Sequence, residues 1–126
     1  MKIEHVAIWV KDIDKICEFY RKYFGGVVHP IYHNPAKQFT SRFITFDDGA
    51  RLEIMHKPEM FHVEQSEHLG YAHLSFSVGS KEEVDRLTQK MSEDGIQVVG
   101  QPRTTGDGYY ESVVLDPEGN RVEITV

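Results

Sequence analysis

The chain has 126 residues and a formal charge of −6, with 40% apolar and 27% charged residues. These values are typical of one compact globular domain and exclude a disordered chain. Runs of Lys and Arg are absent, which argues against a nucleic-acid or anionic-membrane partner. Cys17 is the only cysteine, so an internal disulfide and a sulfur-rich zinc site are both excluded. The N-terminal segment lacks the apolar core of a signal peptide, and we expect a cytoplasmic protein.

The first half of the chain predicts the element order βαβββ. A strand opens it, with alternating apolar residues at Val6, Ile8 and Val10. A helix follows, capped by Asp12 and ended by Gly25. Turn residues and β-forming runs then predict three further strands. These strands are expected at about 27–31, 40–47 and 50–56.

The second half repeats this order. Residues 3–10 align with residues 71–78, and residues 48–54 align with residues 118–124. Self-similarity of this kind indicates a duplicated structural unit. Ser80 and Glu83 predict a capping box at the start of the second helix, which Gly95 ends. Its three later strands are expected at about 96–100, 109–115 and 120–125.

Two tandem βαβββ modules define an α+β fold with a mostly antiparallel sheet. We expect one domain covering residues 1–126. Its first module is expected at 1–56, its linker at 57–70 and its second module at 71–126.

Four candidate metal ligands share one phase of this repeat. Side chains alternate between the two faces of a strand, so residues next to the apolar positions point away from the helix. Two carboxylates that converge on one point repel each other unless a cation lies between them. Imidazole and carboxylate donors suit Ni²⁺, Co²⁺, Zn²⁺, Mn²⁺ or Fe²⁺. We therefore predict a single divalent metal site formed by His5, Glu53, His73 and Glu123.

Four segments of the chain carry a resemblance to a known family. They are I-E-H-V-A-I-W-V at 3–10, F-Y-R-K-Y-F-G at 19–25, G-Y-A-H-L at 70–74 and D-P-E-G-N-R-V-E-I at 116–124. With them the chain resembles the vicinal oxygen chelate superfamily, in its glyoxalase I-like (lactoylglutathione lyase-like) branch. The resemblance implies an eight-stranded, mixed, mostly antiparallel cup, the glyoxalase/bleomycin resistance/dihydroxybiphenyl dioxygenase fold.

The resemblance also implies a metal and an assembly. His5 and Glu53 of one module would join His73 and Glu123 of another around Ni²⁺, Co²⁺ or Zn²⁺. The protein would be a homodimer, and the two modules of one site could come from one chain or from two.

The activity implied by the resemblance is that of a carbon–sulfur lyase. Glyoxalase I converts the hemithioacetal of a 2-oxoaldehyde, such as methylglyoxal, and a thiol into a 2-hydroxyacyl thioester through an enediolate. A carboxylate takes the proton from one carbon and returns it to the next. By position this catalytic role falls to Glu123, with Glu53 as its alternate.

Six residues are candidates for substrate binding, each with a plain structural alternative. Trp9 shares the face of His5, and Arg51 and Arg121 share the phase of the glutamates. Candidates from the resemblance or from loop position complete the set, which is Trp9, Lys22, Asn34, Arg51, Tyr109 and Arg121. Two alternative functions remain open: an acyl-CoA-type epimerase of the same fold, and a metal-free module that binds a drug or another small molecule.

Overall fold

The computed structural model describes residues 1–59 and 69–126. The chain divides into two compact units, Met1–Val63 and Glu64–Val126. Most of the predicted linker lies outside the described residues. No helix in the two described ranges is long and apolar enough to cross a bilayer.

The described residues of the first unit form one α-helix and five strands. In chain order they are β1 (His5–Trp9), α1 (Ile13–Phe24), β2 (Val27–Val28), β3 (Tyr32–Asn34), a short 3₁₀-helix (Pro35–Lys37), β4 (Phe39–Thr45) and β5 (Arg51–His56). The strand order in the sheet is β1-β5-β4-β2, and β3 also pairs with β4. Strands β1 and β5 are parallel, whereas the other pairs are antiparallel.

The described residues of the second unit repeat this plan with four strands. They are β6 (Leu74–Ser77), β7 (Val98–Thr104), β8 (Tyr110–Leu115) and β9 (Arg121–Thr125), with helix α2 (Lys81–Glu93) after β6. The sheet order is β6-β9-β8-β7. Only β6 and β9 are parallel within this sheet. The α+β class, the duplicated plan and the mixed, mostly antiparallel sheets are therefore confirmed.

The prediction of eight strands is wrong by one, because the described residues form nine. The strand expected at about 27–31 is replaced by β2 and β3, which both pair with β4. Pro30 lies between them and has no backbone N–H to donate to a strand partner. The pairing therefore stops at Val28 and resumes at Tyr32.

Capping residues predicted from the sequence set where the helices begin and where α1 ends. The Asp12 side chain accepts a hydrogen bond from the Lys15 N–H at 2.9 Å, and Gly25 ends α1 in a left-handed conformation with φ 66°. Ser80 accepts a hydrogen bond from the Glu83 N–H at 3.2 Å at the start of α2. The capping box is only half formed, because the Glu83 carboxylate pairs with Arg86 instead of returning to Ser80.

Each helix packs on one face of its own sheet. In the first unit the fully buried residues include Ile16 and Tyr20 of α1 and Ile54 of β5. In the second, Val84 and Met91 of α2 are buried together with strand residues that include Val114, Val122 and Ile124. Because side chains alternate along a strand, the residues between these buried positions lie on the opposite face of each sheet.

Candidate metal centre

The first unit brings His5 and Glu53 together on the sheet face opposite α1. Glu53 lies in β5, opposite Ala7 of β1 and Phe43 of β4. Its neighbours Leu52 and Ile54 are buried on the helix side. The distance from His5 Nε2 to Glu53 Oε2 is 3.8 Å, and only 15% of the Glu53 side chain is exposed.

The second unit contains the corresponding pair. Glu123 lies in β9, opposite Ser75 of β6 and Val113 of β8. His73 precedes β6, and its Nε2 is 2.7 Å from Glu123 Oε2. The Glu123 side chain is 13% exposed, close to the value for Glu53. The two halves thus place the same two residue types at equivalent register positions.

The donor chemistry of each pair fits a divalent cation. A largely buried carboxylate next to an imidazole offers one oxygen and one nitrogen ligand. In the second pair His73 Nε2 and Glu123 Oε2, which are 2.7 Å apart, would be the two donor atoms. Within the two described ranges, no three His, Cys, Asp or Glu side chains form a group arranged to hold a metal ion. The sharing of one ion by all four residues therefore stays a prediction.

Glu111 shares the environment of Glu123. Its hydrogen bond with Glu123 raises the pKa of Glu111 to about 7, and desolvation and the charge of Glu123 act in the same direction. Arg103, its partner across β7 and β8, acts in the opposite direction. A cation bound at this position would relieve the repulsion between the two neighbouring carboxylates.

Glu4 and Arg51 flank the first pair. Arg51 Nη2 is 2.5 Å from Glu4 Oε1, and His5 Nδ1 is 2.5 Å from Glu4 Oε2. The hydrogen bond from Arg51, followed by that from His5, lowers the pKa of Glu4 to about 2. Glu4 is therefore ionised at neutral pH and acts only as a hydrogen-bond acceptor.

Sequence reasoning missed Glu4, Phe43 and Glu111 as members of this environment. Glu111 had a usable signal, because it alternates with Ser112 and so shares the outward phase of Val113. Glu4 had none, because it lies before the first residue of β1, where strand alternation does not apply.

Three substrate-binding candidates lie near the metal-ligand face of the first unit. Trp9 is 41% exposed, and its ring packs edge-on against Phe39 with centroids 6.0 Å apart. Arg51 is engaged with Glu4. Asn34 caps the 3₁₀-helix by accepting a hydrogen bond from the Lys37 N–H at 3.2 Å.

The other three candidates are exposed. Lys22 lies on α1, the helix that packs on the opposite sheet face, and its Nζ is 4.9 Å from the centroid of the Tyr23 ring. Tyr109 is 58% exposed, just before β8. Arg121 is exposed at the first position of β9. Their roles in binding substrate stay predictions.

Residues 2–124 match the family model described as the Glyoxalase/Bleomycin resistance protein/Dioxygenase superfamily. The chain belongs to this superfamily. It is 27% identical to the uncharacterized protein YqjT of Bacillus subtilis, over 97% of this chain and 96% of that protein.

Solved structures of the superfamily share the fold. A glyoxalase family protein from Enterococcus faecalis has a TM-score of 0.80 and 27% identity, with 99% of this chain and 97% of that one covered. Glyoxalase I from Zea mays has a TM-score of 0.82 at 18% identity. The match covers 98% of this chain but only 44% of the maize enzyme. At that identity the maize structure shows the fold alone.

Proposed function

We propose that this superfamily member is a metal-dependent glyoxalase I-like lyase. Its substrate would be the hemithioacetal of a 2-oxoaldehyde and a thiol, and its product a 2-hydroxyacyl thioester. The observation that carries the proposal is the duplicated His–Glu pair, at 3.8 Å in one unit and 2.7 Å in the other. Each pair has an accessible imidazole beside a largely buried carboxylate.

Both pairs are proposed to bind one divalent cation, Ni²⁺, Co²⁺ or Zn²⁺. When bound, such an ion supplies Lewis-acid polarisation of two neighbouring substrate oxygens. The donor set of two imidazoles and two carboxylates balances the charge of a dication if both histidines are neutral. The joining of pairs from two modules, in one chain or across a homodimer, comes from the family resemblance.

The reaction is an internal redox exchange that needs no external oxidant or reductant. The carbon that carries the hydroxyl and the sulfur loses a proton, and the neighbouring carbonyl carbon gains one. The hydroxyl proton moves correspondingly to the second oxygen. Glu123 is proposed to take and return the carbon-bound proton, with Glu53 as the alternate base. A low exposure suits either residue, because water would otherwise compete for the proton.

Turnover of methylglyoxal with a panel of thiols tests the proposal. The metal-free protein is reconstituted separately with Ni²⁺, Co²⁺ and Zn²⁺, and thioester formation is followed by ultraviolet absorbance. We expect activity with at least one metal and thiol, and its loss on chelation. Stoichiometric metal with no turnover for any thiol would favour an epimerase, whereas absence of metal binding would favour a small-molecule binding module.

A role in methylglyoxal detoxification and a cytoplasmic location belong to the same proposal.

A further inference from the structure

Two residues of the first unit, Glu4 and Phe43, contact the His5 imidazole, and Arg51 contacts both of them. We call Glu4, Phe43 and Arg51 the His5 frame. The Glu4 carboxylate uses one oxygen for Arg51 and the other for His5 Nδ1. The Phe43 ring meets the His5 ring edge-on, with centroids 5.5 Å apart. The Arg51 guanidinium lies 4.1 Å from the centroid of the same Phe43 ring. The contacts therefore run from His5 through Glu4, Arg51 and Phe43 back to His5.

The backbone pairing of the strands holds these residues together. Parallel pairing places His5 opposite Arg51, and the Arg51 N–H donates to the Glu4 carbonyl at 3.0 Å. Phe43 lies opposite Glu53 across β4 and β5. The frame and the first His–Glu pair are therefore attached to the same three strands.

The frame determines which nitrogen of the His5 imidazole carries the proton and which keeps its lone pair. A carboxylate paired with a guanidinium only accepts hydrogen bonds, so His5 Nδ1 must carry the proton. In a neutral imidazole Nε2 then keeps its lone pair, and this is the nitrogen that faces Glu53. Metal-binding histidines commonly donate their second nitrogen to a carboxylate, which sets the tautomer and the ring orientation.

We propose that Glu4, Phe43 and Arg51 are positioning residues that fix the Nδ1–H tautomer of His5 and direct Nε2 to the metal. This inference rests on the proposed function. It also gives Arg51 a role in holding the ligand, in place of the role in gripping a substrate carboxylate that its phase suggests.

The second module lacks the same frame. Ala72 precedes His73 where Glu4 precedes His5, and Val113 lies opposite Glu123 where Phe43 lies opposite Glu53. Arg121 keeps the place of Arg51, but the carboxylate and the aromatic ring between which Arg51 is held are absent at the equivalent positions. The frame is thus specific to His5 and is not a general consequence of the βαβββ plan.

Nitrogen-15 NMR of the histidine rings in the metal-free protein tests the inference directly, at a pH where His5 is neutral. We expect the Nδ1–H tautomer of His5 to dominate in the wild type and to lose that dominance in Glu4→Ala. Glu4→Gln, which keeps an acceptor oxygen, should restore part of the preference. An Nε2–H tautomer in the wild type, or an unchanged tautomer in Glu4→Ala, would overturn the inference.

Calorimetric titration with Zn²⁺ provides the second measurement. Glu4→Ala should weaken binding about 10- to 100-fold, as loss of a ligand's hydrogen-bond partner does elsewhere. Glu18→Ala is the matched control, because Glu18 also pairs with an arginine, Arg21, but on the exposed surface of α1. Equal effects in the two variants would contradict a positioning role. Failure of the wild type to bind Zn²⁺, Ni²⁺ and Co²⁺ would refute the proposed function, whereas the tautomer measurement decides the frame independently.

Discussion

Glu53 and Glu123 have the least exposed side chains of the two His–Glu pairs, at 15% and 13%. A carboxylate held away from water keeps its charge best next to a cation. The same partial burial supports the proposal that one of them acts as a base, because it limits competition from water. The two glutamates differ in their neighbours, because the Glu111 carboxylate lies beside Glu123, whereas Phe43 is the strand residue opposite Glu53.

Replacement of Glu123 tests the catalytic assignment. Glu123→Gln would remove the proposed base and one proposed negative ligand, so kcat should fall by about 10²- to 10⁴-fold with saturating metal. Glu93→Gln changes an exposed glutamate on α2 in the same way and should keep the wild-type rate. Steady-state kinetics and metal analysis of both variants provide the readout. A metal-loaded Glu123→Gln protein with full activity would remove the proposed role.

The Cys17 thiol makes the stability of the fold depend on pH. Burial raises the pKa of its thiol from 9.0 to about 11, although the charge of Arg42 opposes the shift. The folded state therefore holds the proton more tightly than the unfolded state. The stabilising contribution is complete below pH 9 and is lost as the pH rises toward 11.

The difference in free energy of unfolding between wild type and Cys17→Ala isolates this contribution from other groups that titrate in the same range. We expect the wild type to lose stability relative to the variant between pH 9 and pH 11. Denaturant unfolding at several pH values measures it. A pH-independent difference would show that the thiol titrates normally. Reaction of the native protein with a thiol reagent near pH 8 should also be slow.

The local pairing of the candidate site residues was predictable from the sequence to different degrees. Strand alternation and the repeat both point to His5 with Glu53 and to His73 with Glu123, and each histidine lies beside its glutamate. Glu4 could not be predicted, since its contact with His5 depends on backbone outside β1 and on the parallel register of β1 with β5. A single sequence does not supply that register.

Both helices could be predicted from the capping residues at their ends. Asp12, Gly25 and Ser80 each act through short-range hydrogen bonds or a left-handed backbone, which depend little on the rest of the fold. The strands were harder to predict. Strand β7 begins at Val98 and continues to Thr104, with irregular pairing between Val98 and Arg103, whereas the sequence indicated a strand ending near residue 100. Its extension depends on the partner strand β8.

The end of α1 makes a close approach to β4 that can be tested. A Cβ on Gly26 would lie 2.5 Å from Ile44 Cγ2 and 3.2 Å from the Tyr20 carbonyl oxygen. Ile44 and Tyr20 are fully buried, so neither can move easily. Gly26→Ala should therefore cost about 1–3 kcal/mol of stability.

Gly106→Ala is the control for this substitution, because a Cβ there meets no atom within 4 Å. Its stability should stay within about 0.5 kcal/mol of the wild type. Denaturant unfolding of both variants gives the comparison. Equal stability of the two variants would contradict the packing described for α1 and β4.

The duplication organises the fold of the whole chain. Each unit has a parallel strand pair, β1 with β5 or β6 with β9, and one His–Glu pair lies on or directly before these strands. The repeat was visible in the sequence because both ends of each module kept similar residues. The number of strands was not, because the extra strand β3 has no counterpart among residues 69–126. One module alone would supply two of the proposed protein ligands, fewer than a catalytic metal site normally uses.

The central claim is that the two pairs bind a single ion together. Metal analysis of the purified protein after reconstitution and dialysis tests it most directly. We predict one divalent ion per chain, lost in both His5→Ala and His73→Ala. Two ions per chain, or one ion that survives the loss of either histidine, would show that the pairs do not share a site.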